Sequence, residues 1–286
     1  MKSIAVIDIG SNSVRLGYPQ PGKPTLKQLN TTQLAEGLNA SGRLSPLAID
    51  RTARAVADFC RAAEKDGAEI HIFATEAVRA AANREDFLRK TYELSGYTVE
   101  VLSPEKEALC GFIGAAGGAE SATVIDIGGA SVEITCGRGD KTEYIKSLPA
   151  GVVRLKESCP DRRSLDKKID GVISEFGALP AYPVTAIGGT ASSALVVERG
   201  LKVFDPLTVH NSVLTLGELE QTAELLFALT PLRITALYPL IAPRRAEVLA
   251  AGVLLLSRLL RHTGRTELVV SELDNIEGYL LMKQKV

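Results

Sequence analysis

Histidine and cysteine are scarce and badly placed for a metal centre or a disulfide framework. The three histidines, His71, His210 and His262, are scattered without ligand spacing, and each reads as structural. The four cysteines, Cys60, Cys110, Cys136 and Cys159, form no CxxC pair. They read as reduced thiols of a cytoplasmic protein, with Cys60 and Cys110 on apolar helix faces. Neither sign of charge is in excess: 33 Lys and Arg against 34 Asp and Glu leave a net charge of −1. No long-range field draws in polyanions, so any phosphate must be held by local Arg, Lys and backbone N–H groups. The basic footprint of a nucleic-acid-binding protein is missing as well. The longest apolar run, Val248 to Leu256, is about half of the roughly 20 residues that a membrane-spanning helix needs. It reads as a buried core helix, and the first residues run into a strand with no signal-peptide pattern.

What is present is a duplication. Residues Val6 to Leu16 read VIDIGSNSVRL and Val124 to Ile134 read VIDIGGASVEI, identical at seven of eleven positions. Each copy is a Val/Ile run carrying one Asp, a turn of small residues, and a second apolar run, which predicts a β-hairpin. An Asp at the end of a buried strand needs a cation or hydrogen-bond donors. The turn that follows exposes successive N–H groups and hydroxyls, which suits a phosphate. One such turn is also what an ordinary polar hairpin looks like. Two, sharing Asp, Gly and Ser at fixed offsets, suit a polyanion and a divalent metal held between them. A duplicated phosphate-binding hairpin resembles the fold shared by actin, the Hsp70 ATPase domain and sugar kinases. At 286 residues, two domains are expected.

The rest of the chain supplies punctuation. Thr25 to Leu34 reads as a third strand. Ser45 and Pro46 open a helix to about Asp66 with Leu47, Ala53, Val56, Ala57, Cys60 and Ala63 on one face. Glu69 to Ala74 alternates as a strand. Thr75 caps a short helix carrying Arg79, which is either a solvated charge or anion-facing, and Asn83 starts another helix. Ser103 and Pro104 open the helix that carries Glu107. Acidic residues there favour the helix dipole, and a carboxylate one turn into a helix facing a cleft can also activate water. Gly114 to Ala119 reads as the linker between halves. The second half repeats the plan, with a turn ending at Asp140 and a helix opened by Pro149, Ala150 and Gly151. A third phosphate-compatible turn follows at Gly188, Gly189 and Thr190. Helices over Leu216 to Leu229 and Arg244 to Arg261, a strand over Glu267 to Ser271 and an amphipathic helix over Asn275 to Met282 complete it.

Seven segments in one order, DIGSNSVRL, FATEAVRAAANREDFL, VLSPEKEALCGFIGA, VIDIGGASVEI, SLPAGVVRLKE, AIGGTASSALVV and VHNSVLTLGELE, resemble the exopolyphosphatase/guanosine pentaphosphate phosphohydrolase family. The resemblance runs from Ile4 to about Leu281. It implies an α/β protein of two actin-like (ribonuclease H-like) domains, expected at residues 1–117 and 118–273 with a C-terminal helix from about 274 to 286 joining the first. It implies a cytoplasmic hydrolase that cleaves the terminal phosphoanhydride of polyphosphate or guanosine pentaphosphate in the cleft between them. By the same resemblance Glu107 is the catalytic glutamate, with Asp126 and Glu133 beside it. Phosphate binding falls on Gly10, Ser11, Asn12, Ser13, Arg79, Gly128, Gly129, Ala130, Ser131, Gly189 and Thr190. Magnesium is expected on Asp8, Asp126 and Glu133, with room for another divalent or a monovalent cation. The partner is a small polyanionic substrate, with no nucleic acid and no membrane, and a homodimer is compatible with this reading.

Some positions depart from the family pattern. Ala130 stands where most members have a third glycine, which puts a methyl group where backbone approaches phosphate. Lys106 replaces a second glutamate. The usual S-D-x-G-L-R-E-G appears as SELDNIEG, with Asp274 and Ile276 in place of Gly and Arg. The chain lacks the added helical domains of longer members, so short polyphosphate or a nucleotide is expected to suit it. A non-catalytic sensor of the same ligands and a small-molecule kinase of the same superfold are the competing readings.

Overall fold

The computed structural model describes residues 3–20, 22–139 and 141–284. Asp140, expected in a turn, and the outermost residues of the expected domain ranges lie outside them. In chain order the first half contains β1 (Ile4–Ile9), β2 (Val14–Gly17), β3 (Gln28–Asn30), α1 (Leu38–Ser41), α2 (Pro46–Lys65), β4 (Glu69–Ala74), α3 (Glu76–Ala80), α4 (Arg84–Ser95), β5 (Glu100–Val101) and α5 (Pro104–Ala116). The second contains β6 (Ala122–Ile127), β7 (Val132–Arg138), β8 (Lys141–Leu148), α6 (Val152–Ser158), α7 (Arg162–Phe176), β9 (Val184–Ile187), α8 (Gly188–Arg199), α9 (Pro206–Val209), β10 (Ser212–Thr215), α10 (Leu216–Phe227), α11 (Pro231–Leu237), α12 (Pro243–His262), β11 (Glu267–Ser271) and α13 (Asn275–Gln284).

The strands make two sheets, β3-β2-β1-β4-β5 and β10-β11-β9-β6-β7-β8. Each is built on the same plan. A hairpin (β1–β2, β6–β7) takes a third antiparallel strand on one side (β3, β8) and parallel strands on the other (β4 and β5, β9 and β11). Strands β1 and β6 are covered on both faces, as parallel central strands must be, and their near-continuous Val/Ile runs follow from that. The duplication read from the sequence is thus a duplication of whole sheets. No helix among the described residues is long and apolar enough to cross a membrane.

Several local expectations change. Leu47 is 79% exposed while Ala53, Val56, Ala57, Cys60 and Ala63 are buried; six residues from Ala53, at 100° per residue, it falls off their stripe. Thr75 and Asn83 make no side-chain caps, and the Asn83 amide instead bridges to the Leu44 backbone. The third strand shortens to Gln28–Asn30.

Half of the expected linker is helix. Gly114 lies inside α5, where a Cβ would stand 2.1 Å from the Asp274 carbonyl oxygen on the approach to α13; reciprocally, a Cβ on Gly278 would stand 1.7 Å from the Cys110 oxygen. Those glycines let α5 and α13 cross at backbone contact. The actual connection is Gly117 and Gly118, both at positive φ (54° and 82°). Helix α13 is buried from Asn275 to Leu280 rather than amphipathic. Its Ile276 and Tyr279 pack with Val6, Phe73, Leu102 and Cys110.

Candidate active site

The two hairpin turns are closed by the same backbone bond, Gly10 N–H to Ser13 and Gly128 N–H to Ser131, each 3.0 Å, and they meet. A Cβ at Gly129 would lie 3.0 Å from Ser11 Cβ. Helix α6 seats behind the second turn, its Val152 and Val153 amides donating to the Gly128 and Gly129 carbonyls at 3.0 and 2.8 Å.

Between the sheets lies a cavity of about 280 Å³. Gly10 to Ser13, Gly128, Gly129 and Ser131 line it, as do Gly189 and Thr190 of the third turn and the carboxylates Asp8, Glu107, Asp126, Glu133, Glu272 and Asp274. Its cations are Arg15, Lys27 and Arg245, and one wall is apolar, formed by Val196, Phe204, Leu240 and Ile241.

Two expected site residues are elsewhere. Ala130 is fully buried in the apolar cluster of the first half, so its methyl fills a core instead of obstructing a phosphate. Arg79 stands behind Glu107. Its Nη1 donates to Glu107 Oε2 at 2.9 Å and to the Leu102 carbonyl at 2.6 Å, and its Nη2 to Glu76 at 2.7 Å. With its donors on those acceptors, Arg79 holds the Glu107 carboxylate and does not line the cavity.

Glu107 sits one turn into α5, whose start is fixed by Pro104 and by Ser103 Oγ accepting from the Lys106 amide at 3.2 Å. Burial is the main cause that pushes its carboxyl up to about 7; Arg79 opposes, and Asp126 and Asp8 add to it. Burial likewise pushes Asp126 up to about 7, with Asp274 and Asp8 adding and Arg15 opposing. Burial and then the charges of Glu107 and Asp126 raise Glu133 well above the carboxylate range, although it accepts from Ser147 Oγ at 2.6 Å. Behind these carboxylates is a small space of about 10 Å³, lined also by Thr135 and Asn275.

Three carboxylates whose charges repel each other suit a hard divalent cation. Among the described residues no three His, Cys, Asp or Glu side chains form a metal cage. Magnesium takes one or two carboxylates and completes its shell with waters and phosphate oxygens, which Asp126 and Glu133 match in donor type. Asp8 answers the expectation differently. Its Oδ2 is taken by Arg15, with the Nε bond at 3.0 Å, while its Oδ1 is buried without a partner among the described residues. That orphaned oxygen leaves Asp8 able to face a cation.

The register of the hairpins explains a residue the sequence reading passed over. Asp8 is opposite Arg15 as Asp126 is opposite Glu133, so one cross-strand position holds a cation in the first copy and an anion in the second. The alignment of the two repeats contains this signal. Arg15 also reaches Asp274 at 2.5 Å, and Lys27 pairs with Asp274 and Glu277, each at 3.0 Å. Burial would raise the Asp274 carboxyl, but Arg15 and Lys27 hold it well below the usual range. Arg245, near the start of α12, was also missed. Its guanidinium lies on the third turn, where a Cβ at Gly189 would stand 2.2 Å from Nη1.

A sequence model of the Ppx/GppA phosphatase family matches residues 22–285. The chain belongs to that family. Exopolyphosphatase 2 of Mycobacterium tuberculosis is 28% identical over 314 residues, covering 97% of each chain. The bifunctional 3-dehydroquinate synthase/phosphatase of Fusobacterium nucleatum is 28% identical over 309 residues, 97% of this chain and 46% of that one. The crystal structure of the Aquifex aeolicus Ppx/GppA family member superposes with a TM-score of 0.81 at 28% identity, covering 99% of this chain and 98% of that one. The exopolyphosphatase of Cytophaga hutchinsonii shares the fold, with a TM-score of 0.88 at 19% identity, over 99% of this chain and 98% of that one. The two-domain actin-like fold of Ppx/GppA proteins is the fold of this chain.

Proposed function

We propose that this Ppx/GppA chain is a phosphohydrolase acting on the terminal phosphoanhydride of inorganic polyphosphate or guanosine pentaphosphate. The carrying observation is Glu107, a buried carboxyl pushed up to about 7 at the edge of a cavity lined by both hairpin turns. A carboxylate in that range is partly ionised near neutrality and matched to accept a proton from water. The water oxygen bonds to the terminal phosphorus in line with the bridging oxygen. That bridging P–O bond breaks, and the shortened substrate keeps the electron pair. The proton passes to Glu107 and then to solvent.

The amides of Ser11, Ser13, Ser131 and Thr190 and the serine hydroxyls of the first turn suit the nonbridging oxygens, the Thr190 hydroxyl being spent on the Ile127 carbonyl at 3.0 Å. Arg245 is the cavity cation that, among the described residues, no carboxylate occupies. Magnesium on Asp126, Glu133 and the free oxygen of Asp8 would supply positive charge to the phosphate oxygens. Polyphosphate as substrate is supported by the likeness to M. tuberculosis exopolyphosphatase 2. The apolar wall of Val196, Phe204, Leu240 and Ile241 supports a nucleotide, since a polyphosphate gains nothing from it. A cavity of about 280 Å³ suits a few phosphate units better than a long chain.

The test is phosphate release with magnesium from short polyphosphate, long polyphosphate and guanosine pentaphosphate, for wild type and Glu107→Gln. The variant is expected to lose about 10²- to 10⁴-fold in rate while still binding substrate. Full activity in the variant would remove Glu107 as the base. Wild-type inactivity on all three substrates, with binding retained, would make the protein a sensor.

A further inference from the structure

We infer that Glu76 is a positioning residue that ties the Glu107 carboxylate to the place of the second phosphate turn, an inference that rests on Glu107 being the base. Glu76 opens α3 directly after β4, and its two oxygens hold two arginines from opposite halves of the molecule. Oε2 accepts from Arg79 Nη2 at 2.7 Å, and Oε1 accepts from Arg154 Nη2 at 3.2 Å. Arg79 in turn places its Nη1 on Glu107 at 2.9 Å. The three charged side chains Glu76, Arg79 and Arg154 are only 16–17% exposed, so solvent screens these pairs weakly.

Arg154 is not free to adjust. It lies on α6, which hangs from the second turn by the Val152 and Val153 amides. Gly151 packs so tightly there that a Cβ would stand 2.4 Å from the Gly129 carbonyl carbon. Helix and turn therefore move together. While the second turn stands against the first, Arg154 occupies one Glu76 oxygen and leaves the other for a single bond to Arg79. Should the turn withdraw, Glu76 can grip Arg79 with both oxygens, the stronger two-point arrangement. An end-on grip through Nη1 and Nη2 draws Nη1 off Glu107 and turns the base from its aim. The base is thus held in position by closure of the cleft, through a chain of three ion pairs that touches no substrate.

The experiment is a double-mutant cycle of Glu76→Gln and Arg154→Gln, reading kcat and KM for short polyphosphate, with Glu107→Gln alongside. Each single variant is expected to lower kcat about tenfold, as a misaimed base does, with KM within about twofold and an unchanged melting temperature. The double variant is expected to be no slower than the slower single, because both break one chain. Independent, multiplying losses in kcat would overturn the inference. So would a loss confined to KM, which would make Arg154 a substrate ligand, or no loss at all. The control separates the two readings: an active Glu107→Gln rejects the base itself, whereas an inactive one with multiplying losses rejects only the role of Glu76.

Discussion

Gly129 of the second turn touches Asn12 of the first so closely that a methyl group on it would stand 3.1 Å from the Asn12 amide nitrogen and 3.2 Å from its Cβ. Behind Gly129, a Cβ on Gly151 would be 2.5 Å from the Ala130 amide nitrogen. The two hairpin turns and the start of α6 are therefore stacked with no room for a carbon atom between them. Gly129→Ala is expected to cost about 1–3 kcal/mol by overpacking and to spread the turns. Gly151→Ala meets backbone, which cannot rotate away, so it is expected to cost more in stability and in kcat/KM. Urea unfolding and phosphate-release assays on both variants check this order; a harmless Gly151→Ala would contradict the stacking.

Much of this arrangement was legible in the sequence because it is local. The hairpins follow from period, Val/Ile content and turn residues, and the duplication doubles the signal. The strand Glu69–Ala74 and the Ser103–Pro104 helix start have the same local origin. The misses are long-range. Whether Arg79 faces a phosphate or a carboxylate depends on α5 arriving beside α3. Ala130 looked like an obstruction because nothing local says that its methyl points into the neighbouring core. Gly114 looked like the start of a linker because the helix that needs its missing Cβ arrives 160 residues later, at Asp274. Arg245 sits in the first turn of a core helix, and only the cavity distinguishes it from its neighbour Arg244, which bonds Gln33 at 2.7 Å.

The pH dependence follows from Glu107. Its carboxyl is raised, chiefly by burial, to about 7, and a general base works only when ionised. The rate is therefore expected to fall about tenfold per pH unit once pH drops below that value. A cation near the carboxylates favours their ionised forms, so raising magnesium moves the acidic limb to lower pH. Profiles of kcat/KM against pH at two magnesium concentrations test both signs. A limb in the ordinary carboxylate range that ignores magnesium would count against the assignment.

Ile276 occupies the position at which the family pattern carries arginine, and it is fully buried among Val6, Phe73, Leu102, Cys110 and Tyr279. Restoring the family residue should therefore harm this chain. Ile276→Arg puts an unpaired charge in an apolar cluster and is expected to cost more than about 3 kcal/mol. Ile276→Val should cost only about 0.5–1.5 kcal/mol. Denaturant midpoints compare the two, and a stable Ile276→Arg protein with improved activity would refute this account.

Arg245 gives the sharpest contrast between stability and function. Among the described residues its guanidinium has no ion-pair or side-chain hydrogen-bond partner, although it lines the cavity. Burial, and then the nearby charge of Arg15, lower its pKa to about 10. A half-buried cation without a counter-charge costs stability in the free protein and recovers that cost when an anion arrives. Arg245→Gln is therefore expected to melt at the same temperature as wild type or higher, yet to raise KM about tenfold, the equivalent of about 1.4 kcal/mol of lost binding. Inorganic phosphate should raise the melting temperature of wild type by mass action and raise that of the variant less. A variant that melts lower and binds phosphate equally well would make Arg245 a structural residue and leave the third turn without its cation.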